Sequence, residues 1–195
     1  RALGTSAEIR LGVLSGRTEA RTLIGTPGLA GPPGSHVGAG TLSFRYDSFD
    51  QRLFPSQGSY GRLDAMASST TLGADSGYRV GSASLTHVLT AGESVWTGSL
   101  EGGASSSGDT IPYHDQFKLG GLFRFSGYPV NSLVGAEYAL GVLQYRHRLG
   151  YLFETLGTAA WGGFTAETGN VYRRIDGSSA RGTLWGGSLV VRVGS

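Results

Sequence analysis

The chain has 195 residues, of which 34 are glycine and only 15% are charged, and its formal net charge is +2. This small charge without a dense basic run argues against a nucleic-acid partner, and the lack of cysteine excludes disulfides and thiolate chemistry. No run of about 18 apolar residues is present to cross a membrane as a helix, but low charge with many small polar residues suits a membrane β-barrel.

Hydrophobic alternation with a period of two residues predicts about eight strands and no helix. The strands cover residues 7–14, 40–49, 59–68, 78–89, 94–104, 138–149, 152–164 and 182–193. Short connections are predicted at 71–77, 90–93 and 150–151, and long ones at 25–38, 105–137 and 166–181. Short turns at one end and long loops at the other are typical of outer-membrane barrels. No linker marks a domain boundary, so residues 1–195 are interpreted as one antiparallel all-β barrel domain.

The predicted strands carry apolar side chains on one face and polar side chains on the other. The polar face is predicted to line a hydrated interior and to contact the long loop at 105–137. The predicted inner-wall partners of that loop are Arg45, Asp47, Glu101, Gln144, Arg146 and Arg148. The large aromatic side chains expected to face lipid are Trp96, Tyr145, Trp161 and Trp185.

A proline-containing segment, FPSQG at 54–58, interrupts the strand pattern. Pro55 cannot continue a central strand, and Gly58 permits a tight turn, so with Phe54 these residues suit an ordinary hairpin turn. Together with the preceding YDSFD at 46–50, the segment resembles the aspartate-rich strand end and FPT-x-G turn of the BamA/TamA superfamily, also described as bacterial surface antigens. Its members are outer-membrane barrels that assemble or transport proteins.

The segment LGGLFRFSGY at 119–128 is too rich in glycine for a helix interior and too irregular for a strand. It suits a flexible surface loop, and it also resembles the superfamily loop that folds back into the barrel lumen with an Arg-Gly-Tyr or Arg-Gly-Phe tip. The resemblance implies lumen-loop residues Gly120, Gly121, Arg124, Ser126, Gly127 and Tyr128. Ser126 stands where the family has its arginine, and Arg124 replaces that residue only if the loop is reoriented.

A third pattern joins GAEYALGVLQYRHRL at 135–149 to ETGNVY at 167–172. The order and spacing of all three patterns resemble most the C-terminal barrel of patatin-like outer-membrane phospholipases. The resemblance implies an incomplete barrel, with about eight of about sixteen strands present, roughly the seventh to the fourteenth. The chain begins without Met or a signal peptide, so we expect a mature or excised segment.

A search for catalytic patterns finds little. No G-x-S-x-G turn is present, Asp176 and Gly177 suit a turn, and the four histidines match no zinc spacing. We therefore expect that this segment is not an enzyme and uses no cofactor or metal. The pair of His147 and Ser188 would suit a lipase on the barrel exterior, although a histidine at the membrane interface explains His147 as well.

The sequence therefore predicts a barrel in the outer membrane of a Gram-negative bacterium that anchors or translocates a protein passenger of the patatin-like phospholipase type. Its expected partners are outer-membrane lipid and that passenger, which is either fused to the barrel or secreted through it. No nucleic-acid partner is expected, and the sequence leaves open whether the protein forms a homodimer. An assembly factor or two-partner secretion transporter of the same superfamily, an outer-membrane barrel lipase and a soluble all-β binding domain are the alternatives.

Overall fold

The computed structural model describes residues 6–19, 34–51, 54–106, 111–153, 158–174 and 182–193. Its strands are β1 (Ser6–Thr18), β2 (Ser35–Asp47), β3 (Gly58–Ser68), β4 (Arg79–Ala91), β5 (Ser94–Ser105), β6 (Phe117–Leu119), β7 (Leu133–Phe153), β8 (Thr158–Arg174) and β9 (Leu184–Val193). They form one antiparallel sheet in the order β1-β2-β3-β4-β5-β7-β8-β9, with β6 paired to β7. The all-β prediction is confirmed, and the open sheet is consistent with part of a barrel.

Two short 3-10 turns, Thr70–Leu72 and Tyr113–Asp115, interrupt the connections between strands. Within the described ranges, no helix has the length and apolar character needed to span a membrane.

The sheet has one apolar face and one polar face. Leu11, Leu100 and Leu189 on the apolar face are 81%, 67% and 89% exposed. The opposite face carries charged and hydroxyl side chains, including Arg10, Arg62, Asp64, Ser84, Glu101, Glu167, Ser188 and Arg192. A soluble sandwich would bury its large aliphatic side chains between two sheets. An exposed band of this size instead fits contact with lipid hydrocarbon.

Two predicted connections are wrong near the C-terminal end of the described sheet. The turn at 150–151 is part of β7, and much of the long loop at 166–181 belongs to β8. The reason is backbone pairing: residues 137–148 of β7 bond in register to residues 161–172 of β8. This long ladder holds glycines and polar side chains in strand conformation, although their residue types alone favour turns.

Connections alternate between the two ends of the sheet. One end of the sheet receives the connections at 19–34, 69–78, 106–132 and 175–183 and is here called the insert end, after the long inserted segment within 106–132. The other end receives the connections at 48–57, 92–93 and 154–157 and is called the short-turn end. The connection predicted at 71–77 as one of the short turns therefore lies at the insert end. Strand order decides this, because successive connections of an antiparallel sheet must change ends whatever their length.

Candidate functional site on the polar face

The segment 111–132, here called the insert, packs on the polar face of the sheet. Its two fully buried side chains, Leu119 and Phe125, are both 0% exposed. They share a cluster with buried residues of β7 and β8, namely Leu133, Tyr138, Leu140 and Val171. The insert and the strands beneath it therefore share a small apolar core within a largely polar face.

The glycines of the insert allow a compact turn. The N–H of Gly120 donates to Arg124 O at 2.7 Å, and that of Gly121 donates to Tyr128 O at 3.0 Å. Gly120 has φ 120°, and a Cβ there would lie 2.1 Å from Pro129 O. Only glycine fits this conformation and this close approach. The LGG pattern thus lets the segment satisfy its backbone hydrogen bonds while folded against the sheet.

The tip of the insert binds a buried carboxylate. Ser126 donates its backbone N–H to Glu167 Oε2 at 2.6 Å and its hydroxyl to Glu167 Oε1 at 2.7 Å. Glu167, in β8, is only 1% exposed. A buried carboxylate is costly unless donors satisfy it, and hydrogen bonds to a charged group are the stronger kind. These two bonds fix the position of Ser126 on the inner wall.

A second polar contact joins the insert to β5. Arg124 donates to Glu101 Oε2 at 3.0 Å, and its guanidinium carbon lies 6.0 Å from the centre of the Tyr138 ring. Both partners are partly exposed, so the pair is weak compared with a buried one. Since β5 and β8 flank β7, the insert is bonded to both neighbours of the strand that follows it.

The buried tip is strained and closely fitted. Phe125 has φ 77° and Phe123 has φ 63°, a region that costs side chains other than glycine about 1–3 kcal/mol. Opposite the tip, a Cβ on Gly186 would lie 3.4 Å from Phe125 Cδ1 and 3.0 Å from Glu167 Oε2. Because Gly186 of β9 has no side chain, the Phe125 ring and the Glu167 carboxylate both fit at this position.

The beginning of the insert, residues 111–116 and here called its root, is attached to the sheet by other contacts. Tyr78, just before β4, donates its hydroxyl to Asp115 and packs with Ile111 and Ala136. Burial raises the pKa of Tyr78, and the hydrogen bond to Asp115 raises it further. Gln116 Nε2 also donates to Ile111 O at 3.0 Å. The insert is thus held at its root as well as at its tip.

A polar cavity of about 440 Å³ remains between the insert and the wall. Its lining includes Tyr60, Arg62, Asp64, Ser84, Glu101 and Arg124. Arg62 and Asp64 form an ion pair, and so do Arg124 and Glu101. The interior beside the insert is therefore hydrophilic and has its charges paired.

The other predicted wall residues lie on the polar face but bond elsewhere. Asp47 accepts from the N–H of Phe49 at 2.9 Å, and Arg148 donates to Glu93 at 2.8 Å. For Arg45, Gln144 and Arg146, the described part of the chain contains no hydrogen bond to the insert. Of the predicted wall partners, Glu101 alone is brought to the insert within the described ranges.

Glu167 is the wall residue that the sequence reasoning did not select. The available signal was its position at the start of ETGNVY, a carboxylate among small residues in a segment predicted to be a loop. Once β8 is extended through this segment, period two places Glu167 on the same face as Thr165.

The turn after β2 is organised by an aspartate. Asp50 Oδ1 accepts from the backbone N–H of Ser56 at 2.9 Å and from that of Gln57 at 3.2 Å. Burial opposes the charge of Asp50, but these hydrogen bonds and one from the Ser56 hydroxyl outweigh it and lower its pKa. Pro55 lies within this turn, and Gly58, with φ 115°, begins β3. Phe54 is stacked under Arg192 of β9, 3.4 Å from the guanidinium carbon to the ring centre.

On the apolar face, the prediction for Trp161 is wrong, and the alternative pair of His147 and Ser188 does not form. Trp161 pairs in register with Arg148 and with Arg192, so it faces the polar interior. His147 bonds to Ser94 at 3.0 Å, whereas Ser188 bonds to Thr165 on the opposite face. The pair of His147 and Ser188 therefore does not form, because the two side chains point to opposite faces of the sheet.

Comparison with protein families gives a match over most of the chain. The model of the Omp85 superfamily domain matches residues 38–181, a range that begins in β2, ends beyond β8 and includes the insert and Glu167. A comparison with curated proteins gives no match. The resemblance to the superfamily of assembly and transport barrels is confirmed. The chain belongs to the Omp85 superfamily, whose members are bacterial outer-membrane proteins with roles in protein assembly or transport.

Proposed function

We propose that this chain is the membrane-spanning part of a protein that anchors or translocates a polypeptide passenger across the outer membrane. In this proposal the insert closes the lumen and moves when the passenger passes. The observation that carries the proposal is the docking of Ser126 on the buried carboxylate of Glu167.

The contacts that hold the insert suit a reversible closure. Each hydrogen bond to a charged group contributes about 1.5–3 kcal/mol, and the half-exposed pair of Arg124 and Glu101 contributes at most about 1 kcal/mol. Burial of Phe125 and Leu119 adds to this. Since none of these contacts is covalent, a passenger that competes for the polar face can displace the insert.

The passenger is proposed to be of the patatin-like phospholipase type, fused to this barrel or secreted through it. The order and spacing of the three sequence patterns support this choice. In this scheme any hydrolytic activity belongs to the passenger, and this chain contributes no catalytic residue. The apolar face, with Leu100 and Leu189, contacts outer-membrane lipid.

A reversible cross-link tests the closure. In the complete protein, Arg124→Cys and Glu101→Cys place two thiols at the weaker contact and leave Ser126 and Glu167 unchanged. Because this chain contains no cysteine, the two introduced thiols are the sites within it at which a short reducible thiol cross-linker reacts. We expect the cross-linked protein to keep its passenger inaccessible to protease added outside the cells, and reductant to restore access. Each single-cysteine variant is the matched control.

Two results would contradict the proposal. If the passenger reaches the surface equally with and without the cross-link, the insert does not close the path. If the cross-link lowers the amounts of other outer-membrane barrels and leaves the passenger unaffected, the protein is an assembly factor.

A further inference from the structure

Charges on the polar face are balanced near the insert and unbalanced near the short-turn end. Arg62 and Arg124 each have a carboxylate partner. Neither Arg146 of β7 nor Arg192 of β9 forms an ion pair with any carboxylate of the described ranges. The two arginines therefore differ from most of their neighbours in lacking a counter-charge.

The environment of these arginines is unfavourable without an anion. Nε of Arg146 is buried and has no hydrogen-bond partner among the residues that the structure describes. The register places Arg146 opposite Gly163 and Arg192 opposite Trp161, so the two like charges face the same side of the sheet with only β8 between them. An unsatisfied buried donor and a nearby like charge both cost free energy. One bound anion would offset the two like charges.

Nearby carboxylates are already occupied. Glu93 pairs with Arg148 at 2.8 Å, and Asp50 accepts from Ser56 and Gln57 in the turn after β2. Neither carboxylate neutralises Arg146 or Arg192 through a contact between described residues.

The geometry also holds the arginines ready for a ligand. The guanidinium carbon of Arg192 lies 3.4 Å from the centre of the Phe54 ring. Such a contact restrains the arginine side chain, and a planar guanidinium can still donate to a ligand from its edge. In register, Gly163 lies beside Arg146 and next to β9. Since Gly163 has no side chain, no side chain of β8 stands directly beside Arg146 on this face.

We propose that Arg146 and Arg192 form a binding site for one oxyanion, a phosphate or a carboxylate, on the polar face near the short-turn end. Two guanidinium groups can each offer paired N–H donors to the two or three oxygens of such a group. The source is either a free phosphate or an acidic side chain of a polypeptide in the lumen. This site is independent of the closure by the insert.

Calorimetric measurement of ligand binding to the complete protein in detergent tests the site. One arm uses inorganic pyrophosphate and the other a short peptide with adjacent aspartates, both at constant ionic strength set with chloride. We expect at least one ligand to bind the unmodified protein and to lose binding in the double variant R146Q/R192Q. The matched control, R10Q/R62Q, removes two arginines that have carboxylate partners on the same face and should still bind.

A conservative variant covers the case in which the double variant fails to fold. Arg192→Lys keeps the charge but loses the planar fork, so we expect binding about tenfold weaker. Binding of pyrophosphate alone would identify a phosphate site, and binding of the peptide alone would identify a carboxylate site. Absence of binding for both ligands, or equal loss in R10Q/R62Q and R146Q/R192Q, would overturn the proposal.

Discussion

Replacement of Glu167 by alanine should release the tip of the insert. The change removes both oxygen atoms that accept hydrogen bonds from Ser126, at 2.6 and 2.7 Å. It also leaves the N–H of Ser126 without its acceptor beside a buried ring. The insert should then leave the polar face far more often, while the sheet keeps its backbone pairing.

The magnitude follows from the two bonds. Each hydrogen bond to a charged group is worth about 1.5–3 kcal/mol, but two bonds that share one carboxylate do not simply add. We take about 3 kcal/mol for the pair, which corresponds to an increase of about a hundredfold in the undocked population. Glu167→Gln keeps one acceptor oxygen and should fall between the unmodified protein and Glu167→Ala.

Limited proteolysis measures this population. Trypsin cuts after Arg124, and the next residue, Phe125, is fully buried in the docked insert. Cleavage therefore requires undocking, and its rate follows the open population when opening is fast. Mass spectrometry of the fragments separates this cut from others. The expected result is cleavage after Arg124 about a hundredfold faster in Glu167→Ala.

The matched control is Asp64→Ala, which removes another carboxylate of the polar face. Asp64 pairs with Arg62 and has no hydrogen bond to the insert among the described residues. It should leave cleavage after Arg124 nearly unchanged. If Glu167→Ala is cut there no faster than Asp64→Ala, the carboxylate does not hold the insert.

Three further predictions concern packing, the lipid face and pH. Phe125→Ala should cost about 3–5 kcal/mol of docking free energy and raise the rate of hydrogen exchange in the insert. Phe123→Ala, at a ring that is 38% exposed, should have little effect. Equal effects of the two variants would refute the role of the buried Phe125 ring in docking. Leu85→Arg should destabilise the protein in lipid vesicles by up to about 2–4 kcal/mol. Ser84→Arg, on the other face of the sheet, should be tolerated. A larger loss of stability for Ser84→Arg than for Leu85→Arg would show that the two faces are misassigned. The raised pKa of Tyr78 favours its neutral form in the fold, so its contribution is full below the ordinary tyrosine pKa of about 10 and is lost as pH rises above it. Tyr78→Phe should lessen the alkaline fall in the thermal midpoint, and an unchanged pH profile would contradict this role.

Much of the fold could be predicted because the underlying signal is local. Successive side chains of a strand point to opposite faces, so alternation alone separates Phe44 from Arg45 and Leu189 from Ser188. The glycines at 120 and 121 likewise predict a turn, because glycine adopts positive φ angles that most other residues avoid. Both glycines have positive φ angles in the structure. Neither inference needs knowledge of which strands are neighbours.

The site itself depends on contacts between distant parts of the chain. Ser126 meets Glu167 only because β7 turns back into β8 and the insert folds over both strands. The extent of β8 is likewise decided by its pairing with β7, since its glycines and polar residues have little preference for a strand on their own. Side-chain alternation is a property of each strand, and the sequence alone determines it. Pairing, register and the docking of the insert depend on which surfaces meet, and only the tertiary structure decides that.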